Sequence, residues 1–132
     1  MKIKFCNIKL IFSFFYIVLL SPVASAEIKK LVTHGGFAFE TVDGQKNGAA
    51  YISFFNNSNQ NFIINSVKTE VAMRSEIHDV QIEDDIVKMV MLESLSIGKK
   101  EQVFFQPGGK HIMLFGLKKK LAEGEKFKIT FT

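Results

Sequence analysis

Two histidines and two methionines stand at a spacing that can close around one soft metal ion. They are His78, Met89, His111 and Met113, and the pattern reads H-x10-M-x21-H-x-M. Two imidazoles and two thioethers make a four-donor set, and thioether sulfur selects monovalent copper over zinc, iron or magnesium. Neutral thioethers hold Cu(I) without building a deep anionic trap, so the set suits an ion that must be released again. The imidazoles have to be deprotonated to bind, so affinity is expected to fall in acid.

The elements that must position these donors read as β-strands. Residues 74–81 and 86–92 form two strand-like runs around the polar turn Glu83-Asp84-Asp85. A hairpin centred between Glu83 and Asp84 sets His78 directly across from Met89, with Cβ atoms about 4.5–5.5 Å apart on one face. His111 and Met113 are i and i+2 on another strand and therefore share a face. A register slip of one residue would separate the first pair.

The rest of the chain is read the same way. In residues 126–132, KFKITFT, apolar Phe127, Ile129 and Phe131 alternate with lysine and threonine, which marks a half-buried strand. Residues 49–56 and 61–68 are strand-like on either side of Asn57-Ser58-Asn59-Gln60, and residues 101–105 and 110–115 flank Pro107-Gly108-Gly109. Turn signals about every ten residues predict an all-β, Greek-key barrel or sandwich. Residues 117–124 have room for a helical turn at most.

Composition narrows the setting. Lys2, Lys4 and Lys9 precede the apolar run of residues 10–20, and Ala24-Ser25-Ala26 follows as a small-x-small cleavage site. This is the layout of a secretory signal, residues 1–26, with a copper-binding β domain at 27–132. No twin arginine precedes the run, so the general secretory route to the periplasm is expected. Cleavage removes Cys6, the single cysteine, and takes the formal charge from +4 to +1 by removing three lysines and no acids. The exported chain thus has no thiol for a disulfide or a nucleophile. It also lacks the basic excess that would favour nucleic acid. It is expected to be a monomer without stable membrane insertion.

Phe37, Phe39, Phe54, Phe55, Phe62, Phe104, Phe105, Phe115, Phe127 and Phe131 are read as core. So is Met73, which strict alternation sets on the face opposite His78. His34, followed by Gly35-Gly36, reads as a loop residue. Met91 shares the strand face of Met89 as a spare ligand or as core, and leucine there is expected to be nearly silent. Lys118-Lys119-Lys120 and the acids Asp79, Glu83, Asp84 and Asp85 read as solvated. A blue-copper electron carrier needs a cysteine thiolate, and a zinc hydrolase needs nitrogen and oxygen donors, so neither fits. No Ser-His-acid pattern suggests an enzyme.

The four-donor motif, the segment GAAYISFFNNS with its A-x-Y-x-x-x-x-N pattern, and PGGKHIMLFGLKKKLAEGEKFKITF resemble the periplasmic copper chaperones called PCu(A)C. The resemblance spans roughly residues 48–131, and the four donors fall on its motif without a gap. It implies a cupredoxin-like β-barrel that binds Cu(I). It also implies delivery toward the CuA centre of cytochrome c oxidase, with the oxidase copper-site subunit or a Sco-type thiol protein as partner. A copper buffer or resistance protein without an oxidase client is the alternative. The chain departs from the family in Val90-Met91, where basic and proline residues are common. It also has Phe37 or Phe39 where an aromatic such as tryptophan often sits, and it ends at Thr132 without a His/Met-rich tail, so one copper site is expected.

Overall fold

The computed structural model describes residues 30–132, and the signal expected at 1–26 lies outside them. Ten strands follow in order: β1 Leu31–Ala38, β2 Asn47–Asn56, β3 Phe62–Ile64, β4 Val67–Thr69, β5 Ala72–Glu83, β6 Ile86–Leu92, β7 Leu95–Ile97, β8 Gln102–Val103, β9 His111–Leu117 and β10 Ile129–Phe131. No helix occurs among the described residues, and the all-β class holds.

The main sheet runs β1-β2-β9-β5-β6, with β8 added beside β2, and all its pairings are antiparallel. Two short pairs, β4–β10 and β3–β7, lie outside that sheet. The barrel does not close. The core forms where one face of the main sheet meets those pairs. Alternation decides which residues enter it. On β9, Ile112 and Leu114 are wholly buried, and they join Ala50, Phe54 and Ile77 with Ile64, Val67, Leu95 and Ile97. Phe54 meets Phe131 edge-on at 5.0 Å between centroids and Phe105 at 5.7 Å. His111, Met113 and Phe115 alternate with Ile112 and Leu114, so they occupy the other face of the sheet.

Buried Asn56, the asparagine of the A-x-Y-x-x-x-x-N segment, ties the end of β2 to the end of β7. Its side-chain amide donates to the carbonyls of Gln60 at 2.7 Å, Gly98 at 2.7 Å and Ile97 at 3.3 Å. Its Oδ1 accepts from the backbone N–H and hydroxyl of Ser58.

Several expectations change. The run 61–68 divides into β3 and β4 because the Asn65 and Ser66 N–H groups both donate to the Thr132 carbonyl, at 2.7 and 3.1 Å. That leaves them no partner role in a continuous ladder. Only Gln102–Val103 of 101–105 pairs, and only Ile129–Phe131 of 126–132 does. The facing of Phe127, Ile129 and Phe131 is as expected, since all three pack on the core. His34 is not in a loop: it lies on β1 opposite Ser53, before a register shift at which Gly35 takes φ 67°. Met73 is not core but exposed, as are Phe37, Phe39 and Phe104. The lysine run is exposed, with Lys119 paired to Glu125 and Lys120 to Asp43. Asp79 is not in a solvated turn: it sits on β5 with Lys110 Nζ at 2.7 Å.

Candidate metal centre

The hairpin that carries His78 turns one residue later than the sequence suggests. Asp84 and Asp85 both adopt positive φ, 50° and 61°, as a two-residue type I′ turn requires. Asp tolerates this left-handed region better than most residues. Glu83 therefore pairs with Ile86, His78 pairs with Met91, and Met89 pairs with Val80. The expected direct His78–Met89 pair is thus corrected. The slip is two residues in pairing, so parity is kept, and Met89 still shares a face with His78 while standing diagonal to it.

The third strand arrives from far along the chain. β9 lies on the other side of β5, with His111 directly opposite His78 and Met113 opposite Glu76. The two imidazole centroids are 5.7 Å apart. All four expected donors consequently lie on one face of the β6-β5-β9 strip. His111 is buried, the His78 side chain is 14% exposed and Met113 is half-buried. Met89, by contrast, is 69% exposed. The face is therefore enclosed around the histidines and open at β6.

Each imidazole has one nitrogen engaged and one lone pair left over. The turn at Pro107-Gly108 positions His111: Gly108 takes φ 81°, and the Gly109 N–H donates to the Gln106 carbonyl at 3.0 Å. The Gly109 carbonyl then accepts from His111 Nδ1 at 2.8 Å. With its proton on Nδ1, His111 keeps Nε2 as a donor atom for a metal. On β5, His78 Nε2 donates to Glu76 Oε2 at 2.8 Å. His78 Nδ1 is left as the one buried side-chain N or O without a hydrogen-bond partner among the described residues. A buried, unpartnered ring nitrogen costs free energy unless something binds it, and a metal ion is such a partner.

Glu76 was not picked out from the sequence. It is two residues before His78, hence on the same strand face, and that spacing was the available signal. Its other carboxylate oxygen pairs with Arg74, whose guanidinium lies over the Phe115 ring at 4.3 Å. Carboxylate partners of this kind fix the tautomer and orientation of a ligating histidine.

The described residues contain no group of three or more His, Cys, Asp and Glu arranged to hold a metal. An ion bound at the histidine pair would need to draw further donors from thioethers, which the same face supplies. An open concavity of about 670 Å³, lined in part by Glu76 and Met91, adjoins the strip.

Comparisons with known proteins agree with this architecture. The family model described as "Putative lipoprotein LpqE-like" matches residues 21–132. An uncharacterized protein of Rickettsia prowazekii, RP573, is 31% identical over 86 residues, which is 64% of this chain and 48% of the relative. The chain thus spans about half the length of the curated relative it matches. Among solved structures, the apo PCuAC domain from PmoF1 superposes with a TM-score of 0.62 at 24% identity, covering 80% of this chain and 84% of that one. The copper-bound PCuAC domain from PmoF2 gives 0.65 at 16% identity, with 78% and 80% covered. Apo-DR1885 from Deinococcus radiodurans gives 0.61 at 25% identity, with 84% and 76% covered. On the strength of the family match and of a fold shared with all three domains, the chain belongs to the LpqE-like family and is built as a PCuAC domain.

Proposed function

We propose that this chain is a Cu(I) carrier that works outside the cytoplasm, holding one ion between His78, Met89, His111 and Met113. The observation that carries the reading is the His78–His111 cross-strand pair, with one buried, unpartnered Nδ1 and methionines on the same face. The similarity to a copper-bound PCuAC domain supports the choice of metal. The family's description as lipoproteins supports the compartment.

The chemistry follows from the donors. Cu(I) accepts distorted and low-coordinate geometry, so its ligands can be exchanged one at a time. The imidazoles keep the ion placed, through His78 Nδ1 and His111 Nε2. The thioethers are neutral and soft, and the one on β6 is open to solvent. A partner donor can therefore replace an exposed sulfur first and the imidazoles last. Protons compete for both free ring nitrogens, so binding weakens as pH falls. The domain is a binding module in this reading, with no catalytic group.

Anaerobic Cu(I) titration with X-ray absorption is the direct test. One ion per chain in a shell of nitrogen and sulfur is expected; no uptake, or a shell without sulfur, would remove the proposal. Met113→Leu keeps apolar bulk, so the fold should persist while Cu(I) binding weakens. Glu76→Ala should lower affinity by about 10–100-fold, the usual effect of losing a partner that orients a ligand. Glu76→Gln, which still offers an acceptor, should recover part of that loss; equal losses in the two variants would deny Glu76 the orienting role.

The finer proposal is delivery of copper toward the CuA centre of cytochrome c oxidase, to the copper-site subunit directly or through a Sco-type thiol protein. A deletion strain should then lose oxidase activity when copper is scarce and regain part of it when copper is added. Normal oxidase combined with copper sensitivity would instead identify a buffer.

A further inference from the structure

We infer that Met91 is a further thioether donor of the copper centre, able to exchange with Met89 on the bound ion. This rests on the Cu(I) reading above and extends it to a residue outside the H-x10-M-x21-H-x-M pattern.

Register is the first ground. Met91, not Met89, sits across from His78 on β5, and His78 sits across from His111 on β9. Met91, His78 and His111 thus form one row across three adjacent strands. Directly paired residues have Cβ atoms about 4.5–5.5 Å apart. Met89 stands two residues nearer the hairpin turn, roughly 6.8 Å along the strand at about 3.4 Å per residue.

Exposure is the second ground. Met91 is 49% exposed, which removes the alternative that it fills the core; a gap-filling methionine is buried. β6 is an edge strand of the main sheet, and Met89, on the same face as Met91, is open to solvent as well. The unpartnered His78 Nδ1 belongs to the residue directly opposite Met91.

Two thioethers on one strand face, beside two anchored imidazoles, allow the ion to change sulfur without leaving the histidines. One Cu–S bond forms as the other breaks. Both sulfurs are neutral, copper stays monovalent, and no proton or electron moves. Met91 is the inner position, in the histidine row. Met89 is the outer position, from which a partner protein can take the ion.

The test compares the purified protein with Met89→Leu, Met91→Leu and the double variant. Cu(I) affinity is read against a chromogenic chelator, the sulfur count by X-ray absorption, and the methionine methyls by NMR with labelled methionine. Leucine preserves side-chain bulk at these exposed positions, and circular dichroism checks the fold. Each single variant should keep its sulfur count and lose less than tenfold in affinity. The double variant should lose one sulfur and at least a hundredfold. In the wild type, one equivalent of Cu(I) should shift both the Met89 and Met91 methyl signals. An unmoved Met91 methyl, with Met89→Leu alone reproducing the full loss, would overturn this inference and leave the copper reading standing. A wild-type protein that takes up no Cu(I) would overturn both.

Discussion

With alanine at His111, Cu(I) affinity should fall by at least about a hundredfold, beyond the 10–100-fold typical of losing a residue that only supports a ligand. His111 is buried, its Nδ1 is committed to the Gly109 carbonyl, and its Nε2 is the proposed metal donor. No other histidine can take its place: His34 lies on β1, beyond β2 and β9 from His78. The same substitution leaves the Gly109 carbonyl without its side-chain donor, so a stability loss of about 1–3 kcal/mol accompanies it. Chelator competition, read beside a thermal melt, separates the two effects. His34→Ala is the control and should leave affinity unchanged. An His111→Ala protein that binds Cu(I) within threefold of the wild type would take His111 out of the centre.

The second large effect is structural. Asn56→Asp changes the side chain by little more than an amide for a carboxylate, yet it should cost about 3 kcal/mol or more. The Asn56 amide donates to the Gln60, Ile97 and Gly98 carbonyls in a wholly buried place. A carboxylate there has no proton to offer these acceptors; the Gln60 carbonyl keeps the Ser58 hydroxyl at 3.1 Å, while those of Ile97 and Gly98 lose their side-chain donor, at about 1–3 kcal/mol for each group left unsatisfied. For a domain of this size the melting temperature should drop by roughly 12–24 °C. Asn56→Ala should be comparably damaging, because it also takes the acceptor from the Ser58 N–H. An Asp variant melting within a few degrees of the wild type would show that the amide hydrogen bonds contribute little.

Asn56 also shows what a motif does and does not disclose. The A-x-Y-x-x-x-x-N pattern marked the position, but its partners at and just past the end of β7 lie forty-odd residues away, and nothing local in the sequence names them. β1 escaped notice because its face is mostly exposed and a glycine shift breaks its alternation at Gly35. β7 is three residues long, too short to show a period. The exposed phenylalanines make the converse point. Composition counts rings but cannot tell which face of a sheet a second layer will cover, and Phe37, Phe39 and Phe104 are left outside.

The hairpin separates the two kinds of information within one element. Strand alternation has a period of two, so the sequence alone determined that His78, Met89 and Met91 share a face, and that His111 and Met113 share one. The proposed donor chemistry was legible there too, in two imidazoles and two thioethers with no thiol in the expected exported chain. Which residue stands across from which was decided by a turn in which Asp84 and Asp85 both take the left-handed conformation. That moved His78 opposite Met91 without moving any side chain to the other face. The Glu76–His78 and Gly109–His111 contacts are local, each spanning two residues, but only the tertiary structure placed β9 against β5 and made the contacts between the two histidine-bearing strands. Those contacts depend on hydrogen-bonded ladders between segments distant in the chain, where register is set by packing and turns together rather than by local pattern.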